Sequence, residues 1–189
     1  MIGGPRKCGT GLIKDILHFH PSVFIIPKEV HYFDMEEIFE KGINGYCSTG
    51  YDRYILMDSY FKGDDWYKSQ FKDAKSSQLA MEKTPNYFAL AVVPKRLKDH
   101  NPKASVIFSF RDPFHRTVSD FVQRKANKLI PNNTKFEDVV LGKDGRVNAG
   151  EVTIRNSVYH VHLRIWLKHF DRDQILVINN EKLMCLSVR

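Results

Sequence analysis

The sequence predicts an α/β protein in which short apolar strands feed helices through polar loops, and three observations carry that expectation. The chain opens on Met1–Leu17, MIGGPRKCGTGLIKDIL, which reads as the end of a strand, a tight glycine-bearing loop and a helix. Ser105–Phe110, SVIFSF, has the length and composition of a buried strand, and Arg111-Asp112-Pro113 follows it at once. Asp suits a helix N-cap and Pro the first helical position, so a helix should run from Pro113 to about Ala126. Ile175–Ile178 is a further apolar strand, ahead of a helix over Glu181–Leu186.

A chain of 189 residues implies one domain, 1–189, with a substantial core. A hydrophobic fraction of 42%, with 12% aromatic residues, sets it apart from disordered chains. No apolar run reaches the length needed to span a bilayer, and the N-terminus lacks a signal-peptide pattern. The net charge of +7 favours acidic partners: nucleotides, nucleic acid or a polyanionic sugar. Cys8, Cys47 and Cys185 have no CxxC spacing, so they give no zinc signature and leave a single bridge open. Met1 stands almost on the first loop, as expected of a piece of a longer chain.

In that loop Gly3, Gly4 and Gly9 should let the backbone turn and approach a ligand closely. The helix beginning at Thr10 carries Leu12, Ile13, Ile16 and Leu17 on one face. Its N-terminus suits an anion, and Lys7 adds a full positive charge. The Walker A order is missing, because Lys7 precedes Gly9-Thr10 instead of following the second glycine. An ordinary strand–turn–helix with a surface lysine would read the same way. Val23–Ile26 is the next strand, ended by Pro27. Lys28–Asp34, KEVHYFD, then falls at a strand end, where open α/β sheets bind ligands. Glu29 and His31 would share a side if this stretch were extended. A carboxylate within reach of a hydroxyl can act as general base, with a neighbouring His or Asp tuning it; a polar loop is the other reading.

From Met35 to Ser77 the pattern gives a short helix near Met35–Lys41, a loop-rich insertion over 43–63 and a helix near Asp64–Lys72. Leu79–Lys83 is a strand ending at Lys83, before a Thr84-Pro85-Asn86 turn, and Val92–Asp99 is helical. The Pro113 helix puts Arg111 at a strand end and Ser119 two turns along, a fork of donors and a hydroxyl able to take a phosphate. Lys135–Leu141 is a short helix. Thr153–Phe170 reads as one regular helix, with Ile154, Val158, Val161 and Ile165 at helical spacing. His160 and His162 face different ways on it, which excludes a shared metal site.

Four segments in the same order resemble the heparan sulfate glucosaminyl 3-O-sulfotransferases: GPRKCGT (Gly4–Thr10), EVHYFD (Glu29–Asp34), MEKTPNYF (Met81–Phe88) and FRDPFHRTVSDF (Phe110–Phe121). Ser157–Phe170 extends the match. The resemblance implies a sulfotransferase fold, a P-loop-like parallel sheet flanked by helices, here truncated at both ends and incomplete at the C-terminus. It implies sulfuryl transfer from 3′-phosphoadenosine 5′-phosphosulfate (PAPS) to the 3-hydroxyl of a glucosamine in heparan sulfate. Lys7, Cys8, Gly9, Thr10 and Gly11 fall on the family's phosphosulfate loop, and Arg111 and Ser119 on its 3′-phosphate ligands. Glu29 falls on the catalytic base, accompanied by His31 and Asp34. The acceptor cleft takes in Glu29, Val30, His31, Tyr32, Phe33, Asp34 and Met35, together with Lys83, Thr84, Pro85, Asn86 and Gln123.

A sulfuryl group carries less charge than a terminal phosphoryl group, so lysine and helix-end N–H groups should suffice without a metal. Lys7 is thereby assigned to the bridging oxygen and Glu29 to the acceptor proton. The sequence also departs from the family. Gly11 stands where relatives usually have Arg, Glu151 lies near an aromatic position, and the chain ends before a lysine- and glycine-bearing loop that closes over the nucleotide. An N- or other O-sulfotransferase of a glycosaminoglycan and an inactive glycan-binding fragment are the alternative expectations. Nucleic acid is not expected as a partner. The resemblance places the family in the Golgi lumen behind a membrane anchor that this sequence does not contain.

Overall fold

The computed structural model describes residues 1–34 and 62–186. Every strand pairing in it is parallel. Strand β1 (Ile2–Gly3) sets Ile2 against Ile107 and Gly3 against Phe108 of β4 (Val106–Phe110), and β4 pairs along its whole length with β5 (Ile175–Asn179). Strand β2 (Val23–Ile25) pairs with β3 (Leu79–Met81). A parallel bridge between Ile2 and Lys83 lays β3 beside β1, so the order across the molecule is β2-β3-β1-β4-β5. The chain leaves β1 in one direction and later returns to its other side. Such a reversal opens a crevice at the carboxyl ends of the strands.

Helices cover both faces, as a parallel sheet requires. Successive residues of a strand point to opposite sides, and β4 divides accordingly. Val106 and Phe108 join the larger core with Phe88, Leu97, Trp166 and Phe170. Ile107 instead packs with Ile2, Ile25 and Met81 beneath helix α1 (Thr10–His18), which contributes Ile13 and Leu17. Ile16, expected on that face, is about half exposed.

Helix α2 spans Gly63–Ser69 and α3 Val93–His100, with a 3₁₀ turn at Pro85–Ala89. Strand β3 stops at Met81, two residues short of expectation, because Glu82 and Lys83 turn to pair with Ile2 of β1. Helix α4 (Pro113–Ala126) has the expected ends, and the Asp112 side chain accepts from the His115 N–H at 2.9 Å as its cap. A short α5 follows at Phe136–Val140.

The single helix expected over Thr153–Phe170 is instead two, α6 (Val152–Arg155) and α7 (Tyr159–Trp166). The break falls where Ser157 Oγ is drawn to Arg116 and Thr117 of α4, and Val158 leaves helical geometry at φ −88°, ψ 68°. The buried side of α7 is built from Tyr159, Leu163 and Trp166, with Phe170 beyond its end, while Val158 and Val161 face solvent. Helix α8 (Asn180–Leu186) follows β5. The short helix near Met35–Lys41, nearly all of the 43–63 insertion and Met35 itself lie outside the described residues. No helix among the described residues is long and apolar enough to cross a membrane.

Candidate active site

The loop between β1 and α1 is wound tightly. Gly4, Lys7 and Gly9 all have positive φ, at 122°, 71° and 76°. Gly3 takes no part in the turning and lies within β1. A Cβ on Gly4 would come within 2.8 Å of the Ser109 carbonyl oxygen, and one on Gly9 within 1.9 Å of Asn180 Oδ1. Two further bonds fasten the loop: Ser109 Oγ donates to the Cys8 carbonyl at 2.5 Å, and Arg116 Nη1 to the Arg6 carbonyl at 3.3 Å. Cys8 is fully buried with its thiol free, 3.7 Å from the Tyr159 hydroxyl. Burial pushes that thiol above its ordinary pKa, against the opposing pull of Tyr159.

Helix α1 has no acidic residue in its first turn and no side-chain cap, so its leading N–H groups face the loop with no carboxylate competing for them. With Lys7 beside them, these residues fit an anionic phosphosulfate. At Gly11 a side chain would meet nothing within 4 Å; neither packing nor backbone demands glycine there.

The Glu29 cluster lies at the same edge of the sheet, past the carboxyl end of β2. Glu29 accepts from Lys83 Nζ at 2.5 Å on one oxygen and faces His31 Nε2 at 3.3 Å on the other. His31 Nδ1 lies 2.9 Å from Asp34 Oδ2, which also accepts from Asn86 Nδ2 at 2.7 Å. An imidazole with a carboxylate at each nitrogen is held as imidazolium. Burial opposes that charge, yet Asp34 and Glu29 prevail and lift its pKa to about 10. Burial likewise raises Glu29, but His31 and Lys83 outweigh it and hold the carboxyl at about 2. The segment is not extended: His31 has φ 55°, and this turn brings Glu29 and Asp34 to the two sides of one ring.

Beneath the cluster sits a third carboxylate. Glu82 is buried and accepts from Tyr67 Oη at 2.8 Å, Thr84 Oγ1 at 3.1 Å and Tyr87 Oη at 3.4 Å. Thr84 Oγ1 in turn accepts from Val30 N–H, and Tyr87 Oη from Tyr32 and Phe33 N–H. The backbone of 30–33 thus hangs on two side chains of the 3₁₀ turn and its N-cap, Tyr87 and Thr84. Sequence reasoning missed Glu82 and Tyr87 as supports; a carboxylate directly before Lys83 in an apolar strand was the available signal. Val30, Phe33, Thr84 and Pro85 are buried, and Tyr32 is partly buried against Tyr67.

Arg111 leaves β4 at the same carboxyl edge, its carbonyl accepting from Tyr159 Oη at 2.9 Å, and Ser119 lies two turns along α4. Gln123 accepts from Arg6 Nη2 at 3.5 Å and so joins α4 to the loop. Glu151 caps α6 and pairs with Arg124 at 2.7 Å. Arg116, which sequence reasoning also passed over, lies at the centre of these contacts. Among the described residues no group of three or more His, Cys, Asp or Glu side chains could hold a metal ion.

The parallel sheet flanked by helices, with a glycine-bearing loop after β1, has the fold of the sulfotransferases. The sulfotransferase domain family matches residues 1–184, and the chain belongs to that family. It is similar to heparan sulfate glucosamine 3-O-sulfotransferase 5 of Homo sapiens, 30% identical over 187 residues, and to the Mus musculus protein of the same name, 29% identical over 187 residues. Both alignments cover 97% of this chain and 48% of the relative, so the chain spans about half the length of these proteins. The fold is shared with a sulfotransferase from Alicyclobacillus acidocaldarius at a TM-score of 0.81 and 22% identity, covering 99% of this chain and 74% of that one. A sulfotransferase domain from the curacin biosynthetic pathway superposes at 0.62 with 17% identity, covering 96% of this chain and 66% of that one.

Proposed function

We propose that this chain carries the donor loop and the base of a PAPS-dependent transferase that sulfates the 3-hydroxyl of glucosamine in a heparan sulfate-type glycan. The observation that carries the reading is the line Lys83–Glu29–His31–Asp34–Asn86, set at the same carboxyl edge as the Gly4–Thr10 loop. The loop with Lys7, Cys8, Gly9, Thr10 and Gly11 takes the phosphosulfate, while Arg111 and Ser119 take the 3′-phosphate. As the acceptor oxygen bonds to sulfur, its proton passes to Glu29 and the bond from sulfur to the 5′-phosphate oxygen breaks. Charge on that leaving oxygen is met by Lys7 and the α1 N-terminus. His31 and Asp34 fix Glu29 in place, and Lys83 faces the acceptor. The relatives' names give the acceptor class, the net charge of +7 agrees with a polyanionic glycan, and the Golgi lumen is the compartment such a glycan implies.

One incubation tests the reading. The chain, and a version extended at both ends, receives sulfur-labelled PAPS and heparan sulfate, and the product is cleaved to disaccharides. Label on the glucosamine 3-oxygen is the expected result. Label on nitrogen or another oxygen reassigns the acceptor. Salt-sensitive heparin binding without transfer, in both forms, would leave a glycan-binding protein only.

A further inference from the structure

Among the described residues, Arg116 is the largest charged side chain withdrawn entirely from solvent, with no exposed surface. A buried charge is costly unless it is paired and hydrogen-bonded, and here each of the three nitrogens has a partner. Nε donates to Ser157 Oγ at 2.7 Å, Nη2 to the Thr153 carbonyl and Oγ1 at 2.6 Å each, and Nη1 to the Arg6 carbonyl at 3.3 Å. Asp120, one turn along α4, lies 3.7 Å away. Lysine cannot reproduce this pattern, because its donors radiate from one point while the guanidinium is a planar fork.

The residue thereby joins three parts of the chain. Arg116 itself belongs to α4, between Arg111 and Ser119. Thr153 and Ser157 hold the junction of α6 and α7. Arg6 immediately precedes Lys7 in the donor loop, and its own side chain returns to Gln123 of α4. The loop is therefore stitched to α4 at two points, across the gap that separates the two candidate anion sites.

We infer that Arg116 is a positioning residue that sets the spacing between the donor loop and α4, so that both anionic ends of one nucleotide are gripped together. This rests on the donor reading above. Two sites held at a fixed distance act on a doubly charged ligand with a high effective concentration, and that advantage collapses when the spacing loosens. A nucleotide with one anionic end gains nothing from the spacing.

The test is equilibrium binding of adenosine 3′,5′-bisphosphate and adenosine 5′-phosphate to the chain and to Arg116→Lys, with melting curves for both proteins. The wild-type ratio of the two affinities should fall on the order of tenfold in the variant, as loosened positioning predicts. An equal loss for both nucleotides, with the ratio kept, overturns the inference and leaves a purely structural arginine. If Arg116→Lys fails to fold, Thr153→Val removes a single acceptor from the fork and is read in the same way. Wild-type protein that binds neither nucleotide refutes the donor reading itself, and this inference with it.

Discussion

Lys83 and Glu29, 54 residues apart in the chain, meet at 2.5 Å where neighbouring parallel strands end. With the His31 imidazolium on its other oxygen, Glu29 is fully ionised but holds its proton affinity near a pKa of 2. A base so weak takes a proton poorly until one of its cations is drawn elsewhere. Lys83→Met should therefore raise the Glu29 pKa and move the acid limb of the kcat/KM–pH profile to higher pH. A limb at the same pH in both proteins would show that this pair does not govern the base.

His31 supplies the second pH prediction. Its folded pKa, about 10, lies above the ordinary 6.5, so its stabilisation is complete below pH 6.5 and drains away as pH rises through 10. Glu29 works in the opposite sense: its contribution is present above about 4.5 and is lost as pH falls through 2. His31→Gln should cost about 2 kcal/mol at pH 6, the scale of a charge-assisted hydrogen bond, and progressively less from pH 7 to 10. Denaturant titrations at several pH values measure this; a pH-independent difference would exclude an imidazolium at position 31.

Catalysis should be more sensitive than folding. We predict that Glu29→Gln lowers kcat about 10²–10⁴-fold, the usual range for a general base. Lys7→Ala should lower it about 10²–10³-fold, by removing charge stabilisation at the leaving oxygen. Circular dichroism should stay near wild type in both, and the melting point near wild type in Lys7→Ala, while Glu29→Gln should melt somewhat lower because it loses the pairing with Lys83 and His31. Wild-type turnover in Glu29→Gln would remove that residue from its role.

Gly9 is the loop position with least freedom. Alanine there must adopt φ 76° and place its methyl 1.9 Å from Asn180 Oδ1, a buried oxygen with no hydrogen-bond partner. The left-handed conformation alone costs about 1–2 kcal/mol, and the clash adds to it. Gly9→Ala should therefore weaken nucleotide binding strongly, while Gly9→Ala with Asn180→Gly recovers part of the loss. Calorimetric titration with adenosine 3′,5′-bisphosphate reads both; no recovery in the double variant would leave backbone strain as the whole effect.

Local chemistry made part of this legible in advance. Asp112 and Pro113 announce α4 to the residue, and the glycines around Lys7 mark the loop, because caps and turns are written in neighbouring residues. The division of α6 from α7 was hidden, since it arises from Ser157 bonding to a helix 40 residues away. The face of α7 was misread for a related reason. Valines at helical spacing look like a core stripe, but the wide aromatic rings of Tyr159, Trp166 and Phe170 take the interior. In the Glu29 cluster the residue types were visible, but not the turn at His31 or the buried Glu82 and Tyr87 that hold it.

Those rings lead to the last prediction. Trp166 has no exposed surface, packs 4.9 Å from Phe108 and 5.4 Å from Phe170, and donates its indole N–H to the Phe88 carbonyl at 3.1 Å. Trp166→Ala should cost about 3–5 kcal/mol, through lost burial and the cavity left behind. Trp166→Phe fills most of that space but strands the carbonyl, at about 1–3 kcal/mol. Phe88 follows Tyr87, whose hydroxyl holds the backbone of Tyr32 and Phe33, so the damage should reach the site. Urea denaturation orders the three proteins, wild type above Trp166→Phe above Trp166→Ala. Equal midpoints for the two variants would mean that the indole nitrogen, and not ring volume, is what the fold requires at this position.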